Sequence, residues 1–438
     1  MTFFFTSLFV ILVFWRPQEW LVPQLYGLPV LDCVVYVALL ALLLEINQKK
    51  LKFPRGLPQV WLLVGLWFAV IMSHMSHTYL AGMLNGMREV FKICFFTLLL
   101  FFVLDRPSKL RAMAWIFVSM TCMMAVHALM QEKLGYGFAG QEPFWVLRPG
   151  MDEPVSRSLF FGIFESPNDL AQILATSIPF AFVLFPRRSF FSLLVALAVS
   201  ALLVMAILAT RSRGGMLSLV AVFSVMLILI LPSRLLPALM LIFVVGALLM
   251  CPLAVGVLDR SAYDRVVFWG QANEIFKENF IFGIGYGMFE DYIEESRASH
   301  NAFVLCYTEL GLFGYWFWYN LFQVGIIGAW RIRTALPRDK SPEILWLRRF
   351  AGLSIAAVSA FSVSAYFQTR TYAYPLFFLF AMIGVLPRIA RKMAPEKPFL
   401  ISWKHDVVLW GTVGALGSIV YIYISILLLN KAWQIINY

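Results

Sequence analysis

The 438-residue sequence is 61% hydrophobic and 13% charged, with a mean hydropathy of +0.80. This composition excludes a soluble globular enzyme and predicts an all-α integral membrane protein, since its core must be helix packed on helix in lipid. A net charge of +11 would suggest nucleic acid as a partner of a soluble protein. Here loop Lys and Arg orient membrane helices instead, so the bilayer is the expected partner and no nucleic acid is expected.

Apolar stretches long enough to cross the hydrocarbon of a bilayer recur along the whole chain. They lie at roughly 28–46, 58–76, 88–104, 110–129, 168–185, 189–210, 214–231, 235–252, 301–330, 350–367, 374–387 and 406–429. A shorter run at 3–15 is the thirteenth; without a basic region or a small-residue cleavage site it does not resemble a cleaved signal peptide. We therefore expect about 12 to 13 transmembrane helices in one polytopic domain spanning 1–438.

Basic residues are unevenly distributed between alternate loops. One set of loops holds 21 of the 35 Lys and Arg, and the other holds 14. Because basic loops stay in the cytoplasm, we expect a multi-pass membrane protein with its N-terminus inside. The loops at 130–167 and 253–299 would then lie on the outer face.

The stretch Thr210-Arg211-Ser212-Arg213-Gly214-Gly215 places two cations between two predicted spans, with no carboxylate beside them in the sequence. Charge at such depth is usually functional, and guanidinium groups bind phosphate oxygens two at a time. Other cations near span ends on the same face include Arg88, Arg260, Arg265 and Arg297. As a set they predict an anion site, while for any single one the alternative is snorkelling to lipid headgroups. Likewise, Gly214 and Gly215 have helix packing as their alternative role.

The two predicted outer loops carry further signals. Residues 262–276 mix apolar and polar side chains at helical spacing, which predicts an amphipathic helix at the interface, followed by a glycine turn at 283–287. Such a loop could cover a cavity and bring Arg260 or Arg265 to a substrate. In the other loop, Ser166 or Asn168 is expected to cap the helix that follows.

His300-Asn301 opens the next apolar stretch, and Glu309 lies nine residues further on. A histidine at a helix start is more often a cap or a core hydrogen-bonding residue than a catalytic one. On a continuous helix Glu309 would lie roughly 13 Å from His300, so the two are not expected to pair. The alternatives for Glu309 are to orient another residue or to pair with an arginine.

Five cysteines without a CxxC pair indicate small buried residues rather than a disulfide framework or a thiolate metal site. No P-loop, HExxH or Asp-x-Asp pattern occurs. We therefore expect no cofactor and no metal, although carboxylate pairs such as Asp152-Glu153 leave a metal open.

These motifs together resemble the O-antigen ligase and O-antigen polymerase superfamily of membrane glycosyltransferases. The matching elements are Ser166–Ala171, the Thr210–Gly215 junction, the long outer loop with Arg265, Trp269 and Gly283–Phe289, and His300-Asn301 with Glu309-Leu310-Gly311. Each motif is short, and the resemblance rests on their order and spacing over about 160–330.

The resemblance implies a GT-C-like enzyme of the bacterial inner membrane that transfers a glycan from a polyprenyl-diphosphate-linked donor to an acceptor hydroxyl on the periplasmic face, where the loops at 130–167 and 253–299 would lie. It implies His300 as the general base, with Arg211, Arg213 and Arg265 stabilising the departing diphosphate, and inversion without a covalent intermediate. Supporting residues would be Arg88, Arg260, Arg297, Asn301 and Glu309. The acceptor, a glycan, a lipid or a protein, stays open, so ligase and polymerase are not separated. The alternative from another class is a transporter or flippase for a lipid-linked glycan.

Overall fold

The computed structural model describes residues 1–25, 27–54, 56–147, 153–185, 189–230, 260–293, 298–337, 341–396 and 399–432. It confirms the predicted all-α membrane fold. The helices are α1 Thr2–Phe14, α2 Pro17–Trp20, α3 Val30–Asn47, α4 Pro58–Met75, α5 Leu80–Val103, α6 Pro107–Leu134, α7 Pro167–Leu184, α8 Phe190–Ala209, α9 Arg213–Ile230, α10 Arg260–Glu278, α11 Phe289–Tyr292, α12 Ala302–Ala335, α13 Pro342–Ala365, α14 Tyr374–Gly384, α15 Leu386–Met393 and α16 Trp410–Ala432. A short antiparallel hairpin joins β1 Phe144–Val146 to β2 Val155–Arg157.

Seven of the described helices are long and apolar enough to cross a membrane by length and composition: α3, α4, α6, α8, α9, α13 and α16 with the turn before it. The predicted span at 88–104 is the second half of the longer helix α5, and the one at 374–387 is divided between α14 and α15. The predicted span at 235–252 lies outside the described residues.

Helix α13 lies at the centre of the bundle, where it packs against α7, α9 and α12. Helix α12 also packs against α4 and α16. Helices α3 and α8 bury few of their residues and present apolar side chains outward, which suits contact with lipid. Helices α7, α9, α12 and α13 therefore form the centre of the bundle.

Helix α12 is not continuous, in contrast to the single span expected at 301–330. Gly311 adopts φ 62° and ψ −170°, and a Cβ there would collide with the backbone carbonyl of Ile281. Only glycine fits this position without strain. The amide hydrogens left unbonded by the break are partly used in the loop before α12: Leu312 N donates to Phe280 O at 2.8 Å.

We call the end of the bundle that contains His300 the site end. Helices α7 and α12 begin there, as the hydrogen bonds around their first residues show, and α9 begins beside them, since Arg157 links Asn168 of α7 to Thr210 just before α9. The other end, where α5, α9 and α12 finish, is called the opposite end. By the charge distribution of the loops, the site end is predicted to be periplasmic.

Candidate active site

The first part of the site is the start of α7. Ser166 is the N-cap residue, and its Oγ accepts a hydrogen bond from Asn168 N at 3.3 Å. Pro167 occupies the first helical position, where its lack of an N–H has no cost. The cap thus belongs to Ser166, one of the two expected residues, and the Asn168 side chain is left for another contact.

Arg157 in β2 makes that contact. Its Nη2 donates to Asn168 Oδ1 at 2.9 Å, while its Nε donates to the backbone oxygen of Thr210 at 3.0 Å. One guanidinium therefore links the start of α7 to the turn between α8 and α9. This linking role was not predicted, because no motif in the sequence marks Arg157 and its partners lie 11 and 53 residues away.

The turn between α8 and α9 presents Arg211 in a left-handed conformation, with φ +50°. Its Nη2 lies 3.3 Å from Glu132 Oε1 on α6, and both side chains are only partly buried. No carboxylate is near Arg211 in the sequence, but the fold brings in Glu132 from 79 positions earlier. Arg213, the first residue of α9, is exposed.

The two glycines after Arg213 differ in their surroundings. A Cβ on Gly215 would lie 2.6 Å from Ala171 Cβ on α7, closer than real Cβ atoms approach, whereas one on Gly214 would lie 3.5 Å from Phe367 Cβ. Gly215 therefore permits the close packing of α9 on α7, which is the packing role weighed in the sequence analysis. Gly214 has room for a side chain.

His300 lies on a turn whose backbone is anchored on both sides. Ser299 O accepts a hydrogen bond of 2.6 Å from Trp269 Nε1, and His300 N donates to Thr369 Oγ1 at 2.9 Å. His300 is exposed and has φ +49°, while Asn301 caps α12 by accepting from two backbone amides. The histidine is thus neither the cap nor a core residue, which removes both structural alternatives for it.

The connection between α13 and α14 joins the histidine turn to α7. Gln368 Nε2 donates to Asn168 O at 2.8 Å, and Thr369 receives the amide of His300 as described above. Arg370 forms a two-pronged ion pair with the buried Asp169, with Nε 2.7 Å from Oδ1. The same segment thus holds both the start of α7 and the histidine turn.

A continuous path of contacts results. It runs from His300 to Thr369, through the adjacent Gln368 to Asn168, then through Arg157 to Thr210 beside Arg211. The structure therefore brings the predicted base and one predicted arginine into one hydrogen-bonded framework at the site end.

The other predicted arginines are placed less closely. The predicted amphipathic helix is present as α10, and it carries Arg265 with its side chain half-buried. Arg88 is exposed on α5. The side chain of Arg260 and all of Arg297 lie outside the described residues.

Glu309 lies in a separate part of the site end, beneath the glycine turn. It is buried, and its backbone oxygen accepts from Gly285 N at 3.0 Å. Next to it, the rings of Tyr286 and Tyr372 approach to 4.8 Å, and Tyr286 donates to Glu89 Oε2 at 3.2 Å. Within the described part of the chain Glu309 forms no ion pair, so the alternative of pairing with an arginine is not seen there. Burial raises the pKa of the Tyr286 hydroxyl well above its usual range.

Across the described ranges, no three His, Cys, Asp or Glu side chains lie close enough together to hold a metal ion.

Comparison with known proteins points in the same direction as the motifs. Residues 198–319 match the model of a family described as O-antigen ligase. The matched segment contains Arg211, Arg213, Arg265 and His300, whereas Arg157, Asn168 and Arg370 lie outside it. No curated protein matches the chain.

Proposed function

We propose that this chain, a member of the O-antigen ligase and polymerase superfamily, transfers a glycan from a polyprenyl-diphosphate-linked donor to an acceptor hydroxyl at its site end. The observation that carries the proposal is the path of contacts between the His300 turn and the Arg211 turn. An exposed imidazole and exposed guanidinium groups held in one framework suit a reaction in which a proton is removed and a diphosphate departs.

His300 acts as the general base in this proposal. Its imidazole removes the proton of the acceptor hydroxyl while that oxygen attacks the anomeric carbon of the donor. The bond from this carbon to the diphosphate oxygen breaks, and the configuration inverts. A positioned base of this kind contributes about 10² to 10⁴ in rate. The support is the anchoring of residues 299–301, which fixes the backbone while the side chain stays exposed.

Arg211, Arg213 and Arg265 bind the diphosphate and stabilise the charge that develops as it leaves. Arg211 is 37% exposed and its contact with Glu132 is long for an ion pair, so a phosphate oxygen can replace the carboxylate. Arg213 at the first turn of α9 adds its charge to the positive end of the helix dipole.

Asn301 supports His300 by capping α12 directly after it. Arg88, Arg260, Arg297 and Glu309 stay predictions as supporting residues. Placement of the reaction at the periplasmic face rests on the charge asymmetry of the loops. The same chemistry serves a ligase and a polymerase, which differ in the acceptor.

The test is glycan transfer by the detergent-solubilised protein from a purified polyprenyl-diphosphate donor, in the presence of EDTA. Wild type is compared with His300→Ala and with His405→Ala, which removes an exposed histidine at the opposite end. We expect release of polyprenyl diphosphate by wild type and His405→Ala, and a loss of about 10² to 10⁴ in kcat for His300→Ala. The acceptor that gains mass distinguishes ligase from polymerase.

Equal rates for His300→Ala and wild type would rule out the histidine as base. Binding of donor without release of polyprenyl diphosphate, with every acceptor offered, would overturn the transferase and favour a transporter. Loss of activity on adding EDTA alone would overturn metal independence.

A further inference from the structure

The opposite end of the bundle contains a basic cavity of about 700 Å³, far from the candidate active site. It lies where the segment after α3, the start of α6 and the helix α15 meet. The residues that line it are Lys50, Lys52, Phe53, Asp105, Arg388 and Lys392. Below it is called the basic cavity.

Two of its cations are held in place by backbone oxygens. Arg388 donates from Nη1 to Phe101 O at 2.8 Å and from Nη2 to Lys52 O at 3.1 Å. Lys392 Nζ donates to Asp105 O at 2.9 Å. Carbonyl groups fix the positions of these side chains without neutralising their charge.

Asp105 is the one carboxylate among the six lining residues, and it already serves other cations. Its Oδ1 lies 2.9 Å from Lys109 Nζ and 3.4 Å from Arg106 Nε. Burial alone would raise the pKa of Asp105, but the hydrogen bond and charge of Lys109 lower it below its usual range. Asp105 is therefore ionised and engaged, and the cavity retains an excess of positive charge.

The same excess acts on Lys392. Burial, and after it the charges of Arg388 and Arg106, lower the pKa of its ammonium group, although Asp105 opposes them. The charged form of Lys392 would be stabilised by an anion in the cavity.

The cavity is flanked by apolar surface that continues along the bundle. Phe53 is 52% exposed, and its ring packs edge-to-face on Phe102 at 5.4 Å. Helix α3, which ends just before Lys50, exposes Tyr36, Leu40, Leu43 and Leu44 along its length. A ligand with a phosphate head and apolar chains would meet matching surfaces in both places.

We propose that the basic cavity binds the phosphate-bearing headgroup of an anionic phospholipid from the adjacent leaflet, with its acyl chains along Phe53 and α3. Free phosphate shares the headgroup chemistry, but it would leave the apolar flank unused. The charge distribution of the loops predicts that the opposite end is cytoplasmic, and basic pockets between helices at that side bind anionic headgroups.

The experiment measures the thermal midpoint of the full-length protein in detergent while dioleoyl phosphatidylglycerol is added. Dioleoyl phosphatidylcholine and inorganic phosphate are added in parallel. The test variant is Lys50→Gln/Lys52→Gln: both side chains are exposed, and the backbone oxygen that holds Arg388 is retained. The control is Arg391→Gln/Lys404→Gln, which removes the same charge from exposed positions outside the cavity.

We expect phosphatidylglycerol to raise the midpoint of wild type and of the control at the same concentration, with phosphatidylcholine ineffective. The test variant should need roughly 30-fold more phosphatidylglycerol, the factor expected from two cations at an anionic membrane surface. Equal responses of test variant and control, or of the two lipids, would overturn the site. A full response to inorganic phosphate would overturn lipid as its ligand.

Discussion

Arginines at the two ends of the bundle bind different kinds of partner. At the site end each of three arginines has a side-chain partner: Arg157 contacts Asn168, Arg211 contacts Glu132, and Arg370 contacts Asp169, although Arg157 also donates to the backbone oxygen of Thr210. At the opposite end several bind backbone oxygens: Arg388 to Phe101, Arg333 to Leu229, and Arg348 to Arg333. Arg331, which pairs with Asp406, is an exception there.

At the opposite end, Arg388 and Arg333 reach carbonyl groups in the last turns of α5 and α9, which lack intrahelical partners and attract cations. At the site end, the side-chain contacts of Arg157 and Arg211 are partly buried at most, so they can be exchanged for contacts with a substrate. Substitutions that remove individual contacts test this contrast.

The largest effect is expected for Arg157→Ala. It removes the hydrogen bonds to Asn168 and Thr210, and bonds from a charged donor contribute about 1.5–3 kcal/mol each. We expect kcat/KM for glycan transfer to fall about 100-fold, with kcat carrying most of the loss. Arg157→Lys, which keeps the charge but not the two-pronged geometry, should restore part of the activity. A loss seen only in KM would show that Arg157 binds substrate rather than positioning the site.

The second effect concerns stability. Arg370→Ala leaves the buried Asp169 without its partner; for a fully buried pair this costs about 3–5 kcal/mol. Because the guanidinium is 36% exposed, we expect about 2 kcal/mol, read as a lower thermal midpoint. Removing both charges in Asp169→Asn/Arg370→Gln should cost less than Arg370→Ala alone. If the double variant is less stable than Arg370→Ala, the ion pair stabilises the fold by more than the neutralisation of a buried charge.

The fold was largely predictable from the sequence because apolar length and helical spacing are local properties. A helix was expected at 262–276 from the spacing of its apolar residues and is observed at 260–278, and Ser166, one of the two expected cap residues, caps α7. The break at Gly311 was not expected, since it depends on the approach of a backbone oxygen from Ile281.

The candidate site was predictable only where its motifs are contiguous. His300 and Arg211 stand in short motifs with a family resemblance, and residues 198–319 match that family. Glu132, Arg157 and Thr369 contribute through contacts that span 79, 53 and 69 residues. No local sequence pattern predicts such contacts, because they arise from the packing of segments that are distant in sequence.

Alanine substitutions of the two glycines at the start of α9 form a matched pair, and their expected effect on stability is intermediate. Gly215→Ala forces a Cβ against Ala171 of α7 and should destabilise the protein by about 1.5 kcal/mol. Gly214→Ala, one residue earlier, meets only ordinary contacts and should leave stability unchanged or raise it by up to about 1 kcal/mol. The measurement is the thermal midpoint in detergent. Equal effects at both positions would mean that α9 does not approach α7 as closely as described.

The smallest effect is expected for Glu132→Gln, and it tests whether the contacts of the site end can be exchanged for substrate. The Glu132–Arg211 pair is partly exposed on both sides, and such pairs contribute about 0.2–1 kcal/mol. Removing the carboxylate charge frees Arg211 for the diphosphate, so KM for the donor should fall about threefold while kcat stays unchanged. Glu142→Gln removes the same charge from an exposed position in the segment after α6 and should change neither constant. A higher KM in Glu132→Gln would show instead that Glu132 orients Arg211 toward the donor, and the carboxylate would then belong to the binding site rather than compete with it.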